Sequence, residues 1–174
     1  RFWPEIEISK FRPDCTTRDE ASASGGKWFP YNKGGSFRKW YGNQDFVLNW
    51  EDDGQAIKQK KADDLETGKC TANNAKCWNQ DYYFKSGLSW SGTGIETFGA
   101  RFSPAGFVFD VKGSTCFVDE SKLMSFLSFF NSIVPTEFLK ILNPSTEFQA
   151  GNIKMLPLSP ELQPGSNSET FDQA

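Results

Sequence analysis

Between Gly25 and Asn43 lie four cations, Lys27, Lys33, Arg38 and Lys39, and no acid, in a chain whose formal net charge is -3. Cations and free backbone N–H groups hold phosphate oxygens, and Gly34-Gly35 lets the backbone approach such a group closely. If "SFRKWY" is extended, Arg38 and Lys39 point to opposite sides, so at most one of them faces a phosphate directly. A second reading stands beside this one: Trp28, Phe29, Trp40 and Tyr41 are core and edge packing, and the glycines only turn the chain. Another set of residues suits base edges, because Arg or Lys addresses guanine and Asn or Gln addresses adenine in the major groove. Lys69, Asn73, Asn74, Lys76, Asn79 and Gln80 crowd the stretch "TGKCTANNAKCWNQD" (67–81), and Arg101 closes "SWSGTGIETFGAR" (89–101). Base readers belong on loops, where change leaves the core alone; an ordinary polar surface loop has the same composition. Lys85 and Lys112 are weaker phosphate candidates.

Other chemistry is excluded or thin. The chain has no histidine, so Ser-His-Asp and Cys-His nucleophile systems cannot be built. His-containing zinc sites are ruled out too. The cysteines, Cys15, Cys70, Cys77 and Cys116, include no CxxC pair, and the expectation is four reduced thiols in a cytoplasmic protein. No metal site is expected. The carboxylates Glu51, Asp52 and Asp53 offer a glycosidase-type reading, but acids in a charged segment are ordinarily solvated. No apolar run of about 18 residues marks a transmembrane span, so no membrane partner is expected. The opening "RFWPEIEISKF" lacks an initiator Met and reads like the start of an excised domain.

The elements that must position these residues follow from periodicity. "FWPEIEISKF" alternates as a strand, and residues 12–27 read as a loop. "KWFPYNKGG" is extended, "DFVLNW" is a strand, and the charged run from Glu51 holds an exposed helix. "DYYFKSGLSWSG" is strand-like, and "TFGARFSPAGFVFDVKGSTCFVD" reads as a hairpin joined through Pro104-Ala105-Gly106. From Asp119 the period becomes helical: Leu123, Phe126, Leu127 and Phe130 fall at i, i+3, i+4 and i+7 behind a cap at Asp119 or Ser121. A second helix from about Pro135 puts Val134, Phe138 and Ile141 on one face and stops at Asn143-Pro144. The fold class is therefore α+β: a twisted mixed or antiparallel sheet followed by a helix pair. One domain is expected over 1–162, with a flexible tail over 163–174.

"KWFPYNKGGSFRKWYGN", "FVLNWEDDGQAIK", "NQDYYFKSGLSWS", "ARFSPAGFVFDVKGS" and "LMSFLSFFNSIVPTEFLKILNPSTEFQAGNIKMLPL" occur in this order. Together they resemble the target-recognition region of PglX-type adenine-specific DNA methyltransferases of BREX phage defence and of single-chain restriction-modification enzymes. The resemblance covers roughly residues 1–160. It implies a fold like that of the target-recognition domains in type I restriction specificity subunits. It also implies sequence-specific binding of double-stranded DNA on behalf of a methyltransferase domain in a longer parent chain. A phage DNA-mimic inhibitor is a further partner it suggests. The parent's cofactor would be S-adenosylmethionine, with none expected in this segment. The Gly-rich cofactor loop and the Asn-Pro-Pro-Tyr motif of such enzymes are missing, so no catalytic residue is expected. Under this resemblance, Lys27, Lys33, Gly34, Gly35, Arg38 and Lys39 become a clamp on the DNA backbone. Lys69, Asn73, Asn74, Lys76, Asn79, Gln80 and Arg101 remain the base-reading candidates. The alternative function is a free-standing aromatic-rich module binding carbohydrate or protein.

Overall fold

The computed structural model describes residues 1–92, 97–143, 147–159, 162 and 172–173. In chain order the elements are α1 (Arg18–Ala23), β1 (Trp28–Asn32), β2 (Phe46–Asn49), α2 (Glu51–Glu66), β3 (Gly87–Trp90), β4 (Ala100–Ser103), β5 (Val108–Phe109), β6 (Thr115–Phe117), α3 (Leu123–Asn131), α4 (Ile133–Leu142), α5 (Ala150–Lys154) and β7 (Asp172–Gln173). The class is α+β, as the periodicities require. The residues pack as two compact units interleaved in sequence: Arg1–Tyr31, Asp45–Lys85 and Ala105–Val108 in the first, and Asn32–Gln44, Ser86–Pro104 and Phe109–Ala174 in the second.

The first unit is built on the sheet β2-β1-β5, with β1 and β2 antiparallel and Phe29 opposite Leu48. Its core is aromatic. Phe29 meets Phe84 edge-on at 5.5 Å, and Trp50 meets Tyr83 at 5.1 Å, the geometry that ring quadrupoles favour. The opening segment is not the expected strand. Pro4 cannot donate to a ladder, and the chain forms 3-10 turns at Trp3–Glu5 and Ile8–Lys10 with single bridges Phe2↔Phe46 and Phe11↔Trp28. Nor are residues 12–27 all loop. Thr17 caps α1 by accepting from the Glu20 N–H at 3.1 Å, while the Glu20 carboxylate accepts from the Thr16 N–H at 2.7 Å. The Thr-x-x-Glu spacing was a legible cap signal. Helix α2 is the expected charged, exposed one. It starts in left-handed backbone at Asp52, Asp53 and Gly54, with the Trp50 ring lying where a Cβ on Gly54 would go.

The second unit has the antiparallel sheet β4-β3-β6-β7. Leu88, Trp90, Ala100 and Cys116 share one buried face with Leu123, Phe126, Leu127 and Phe130 of α3, so the helical period from Leu123 is realised as read. The other face carries buried polar side chains: Ser89, Arg101, Ser103 and Thr115. The expected hairpin through Pro104-Ala105-Gly106 does not form. Strand β4 pairs with β3, and β5 lies in the other sheet. Gly106 N–H donates to the Phe84 carbonyl and Phe84 N–H to the Phe107 carbonyl, so the first unit's own ladder takes up this segment.

Helix α4 carries its apolar stripe on the outer side. Ser132 caps it, its hydroxyl accepting from the Val134 N–H, and the helix ends before Asn143. Pro135, Thr136 and Leu139 face inward, whereas Val134, Phe138 and Ile141 are exposed, Ile141 at 80%. The apolar stripe is present, but it faces away from this unit's core. Of residues 163–174 only the backbone of Asp172 and Gln173 is described, paired with β6. Among the described residues no helix is long and apolar enough to cross a membrane.

Candidate nucleic-acid interface

In the second unit the stretch 33–42 is pinned along β4. Trp40 N–H donates to the Ala100 carbonyl and Phe102 N–H to the Trp40 carbonyl, both at 2.9 Å. This parallel bridge holds Trp40 at φ +72, a left-handed conformation that bulky residues rarely adopt. Strain of this kind is found where surrounding structure over-determines it, often at binding sites. The Trp40 ring is not core; it is 50% exposed, and Tyr41 is exposed beside it. The alternation of Arg38 and Lys39 is realised. Arg38 is exposed, while Lys39 donates at 2.8 Å to the Asn131 carbonyl, the last of α3. Its ammonium thus neutralises a helix C-terminus and is engaged within the fold.

The glycines serve the chain before any ligand. Gly34, at φ +82, is buried, and a Cβ there would collide with the Lys112 carbonyl. Gly35 is exposed at φ +121. Lys33 is exposed, as is Lys112. Asn131 escaped sequence reading altogether. Its side-chain oxygen accepts from the Ala100 N–H at 3.0 Å, and its amide donates to the Ala100 and Leu127 carbonyls at 2.9 and 3.0 Å. The signal was a polar residue four after Leu127, on the apolar side of α3.

Arg101 is a correction. It does not close an exposed loop; it lies in β4 opposite Ser89 and is 2% exposed. Its Nη1 donates to the Ser91 hydroxyl at 3.3 Å, and its buried Nε has no partner among the described residues. Burial, together with the nearby Arg38 charge, pulls its pKa down to about 10. Neither Arg38 nor Arg101 forms an ion pair with a carboxylate among the described residues. Between β3 and β4, residues 93–96 of the second polar stretch lie outside the described residues.

The remaining candidates belong to the first unit. Lys27 pairs with Glu51 at 3.0 Å, so its charge is already met. Lys69, Asn73, Asn74, Lys76 and Asn79 are exposed on the segment after α2. That segment is held from below: Lys61 donates to the Asn74 and Lys76 carbonyls at 2.8 and 2.9 Å, and Trp78 Nε1 donates to the Asn73 carbonyl at 3.1 Å. Lys76 lies over the Trp78 ring, 5.1 Å from its centroid. Gln80 is half-buried, its amide spent on the Cys77 carbonyl at 2.8 Å. It is a loop support more than a reader.

Of the carboxylates Glu51, Asp52 and Asp53, the first pairs with Lys27 and the last with Arg18 and Lys58. Burial alone would raise the Asp53 pKa, but hydrogen bonds from Arg18 and Lys58 outweigh it and hold the carboxyl below its usual value. The four cysteines are free, and burial pushes the Cys116 thiol up to about 12. No group of metal-ligating side chains forms among the described residues. The Gly-rich stretch 91–99 connects strand β3 to strand β4, whereas a nucleotide loop of that kind needs a following helix whose N-terminus faces the ligand.

No protein-family model matches the chain. It is similar to a segment of two adenine-specific methyltransferases. It is 41% identical to the adenine-specific methyltransferase PglX of Lacticaseibacillus casei (strain Zhang) over 169 residues, covering 94% of this chain and 13% of that protein. It is 31% identical to the adenine-specific methyltransferase BrxX of Escherichia coli O9:H4 (strain HS) over 161 residues, covering 91% of this chain and 12% of that protein. The chain therefore spans about an eighth of the length of the curated relatives it matches, and it is related to that segment of them.

Proposed function

We infer that this chain recognises double-stranded DNA for an adenine-specific methyltransferase of phage defence, of the BREX or restriction-modification kind, and that methyl transfer is performed elsewhere in a longer polypeptide. One observation carries this reading: a net acidic chain related to such enzymes keeps Arg38 and Arg101 near each other without a carboxylate partner among the described residues. Lys27, Lys58 and Lys60 are met by acids, whereas the exposed Arg38 and the buried Arg101 act on each other as like charges. Clustered charge of one sign favours a bound anion. Arg38 and Lys33 hold the DNA backbone. The exposed amides and cations of residues 69–79 supply the side chains that address base edges.

The outward stripe Val134, Phe138 and Ile141 on α4 is the surface for the rest of that polypeptide. It lies opposite the buried Pro135, Thr136 and Leu139, so the helix has two apolar sides and this unit covers one. The test of the recognition reading is duplex DNA binding by the chain, followed by fluorescence anisotropy across a salt series. Weak binding whose log K falls with log salt, with the modest slope of a few phosphate contacts, is expected. Tight binding indifferent to salt, or no binding at low salt, contradicts it.

A further inference from the structure

A buried guanidinium with no anion beside it is costly, because charge is taken from water without a partner. Arg101 is in this state. Its side chain is covered along its length, and among the described residues its Nε has no hydrogen-bond partner and its Nη1 donates to the Ser91 hydroxyl. Among the described residues, the charge that acts on it is that of another cation, Arg38. Three backbone segments of the same unit converge at the Nη1 end. Gly92 N–H donates to the Lys112 carbonyl at 3.1 Å. A Cβ on Gly34 would meet that same carbonyl and come within 3.7 Å of Ser91 Cα. Ser91 and Gly92 are half-buried, so the guanidinium ends at a partly open rim.

We propose that Arg101, with Ser91 and Arg38, forms a recessed seat for a phosphodiester group of bound DNA. The inference rests on the DNA-recognition reading above and changes the part that Arg101 plays in it. A base reader must project into the groove to reach Nη-to-O6/N7 geometry, and a side chain sealed into a sheet cannot project. Phosphates are the outermost groups of the duplex, and a cation held at a rim can meet them. Arg38, exposed beside it, meets the anion from the solvent side. The Ser91 hydroxyl, already accepting from Arg101, donates its own hydrogen to a phosphate oxygen. No covalent step is involved. A seat of this kind fixes the register of the chain on the duplex and leaves sequence discrimination to the loop at 69–79.

The test uses the chain itself and small anions at constant ionic strength, with sodium chloride replaced by dimethyl phosphate or by inorganic phosphate, and thermal unfolding as the readout. At a dimethyl phosphate concentration ten times its dissociation constant, the midpoint should rise by about 3–6 °C. The rise should vanish in Arg101→Gln, shrink in Arg38→Gln and Ser91→Ala, and persist in Lys60→Gln. Arg38 and Ser91 are exposed and half-buried, so those two variants report even if Arg101→Gln does not fold. An equal midpoint in chloride and dimethyl phosphate overturns the seat. So does a rise that Arg38→Gln and Ser91→Ala leave unchanged. Stabilisation by inorganic phosphate alone overturns the diester assignment. None of these readouts requires DNA. Loss of duplex binding with an intact dimethyl phosphate response therefore counts against the DNA reading and not against the seat.

Discussion

Arg38 and Lys39 are adjacent, equally charged and assigned opposite work, which makes them a sensitive probe of the interface. Lys39→Met keeps the alkyl stem, which lies close to Gly99, and deletes only the ammonium. What is lost is one charge-assisted bond of 2.8 Å to the last carbonyl of α3, in a half-buried place. Bonds of this kind contribute about 1–2 kcal/mol, combining a charged hydrogen bond with neutralisation of a helix C-terminus. In a chain of this size that is a fall of about 2–8 °C in the unfolding midpoint. Arg38→Gln removes an exposed side chain with no ion pair among the described residues, and its stability should stay within about 0.5 kcal/mol of the parent. The DNA readout should show the reverse. Arg38→Gln weakens duplex binding for every sequence and lowers the salt slope by about one. Lys39→Met, measured well below its midpoint, leaves the slope unchanged. Thermal unfolding and anisotropy across a salt series on the same preparations decide it. If Lys39→Met lowers the slope and spares stability, the division of work between the two residues is refuted.

Asn131→Ala leaves the buried Ala100 N–H without its partner and should cost about 2–3 kcal/mol in urea unfolding; a cost under about 0.5 kcal/mol would mean that water replaces the amide. Asp53 has its folded-state pKa held below the ordinary value, so its stabilisation is present at neutral pH and is lost as pH falls below about 4. The stability-versus-pH curve of Asp53→Asn should therefore be flatter in that acidic range than the parent's. Asn74→Ala or Lys76→Ala should alter preference between DNA sequences, by about 1–3 kcal/mol where the side chain reads a base; competition between duplexes measures this, and a uniform loss across sequences counts against it. Ile141→Glu should leave the chain's own stability within about 0.5 kcal/mol, since the side chain is 80% exposed, yet lower the activity of an intact methyltransferase carrying it.

Periodicity was sufficient wherever a single face had to be buried. Leu123, Phe126, Leu127 and Phe130 point inward as their spacing demands. On α4 the same logic found the stripe Val134, Phe138 and Ile141 on one face, and that face is the exposed one; periodicity reveals an apolar face without saying what covers it. Leu139 with two small inward neighbours is the weaker pattern, and packing chose it. The expected hairpin fails to form for a related reason. Strand signals around Pro104 were sound, but pairing is a non-local decision, and the partners are β3 and β1. The cations were legible by type and not by role. Alternation separated Arg38 from Lys39, yet only the structure put Lys39 on a helix end and sealed Arg101 into a sheet. Trp40 was read as packing; its strained, exposed backbone position has no signature in composition.

The central claim is that this chain decides which DNA sequence is methylated. The L. casei PglX segment, 41% identical over 169 residues, is a natural exchange site. A chimera would carry this chain in place of that segment, be confirmed to bind S-adenosylmethionine, and have its methylated adenines mapped across a genome. Methylation should move to a new sequence set by this chain. Methylation that stays at the parent enzyme's sequence would contradict the account.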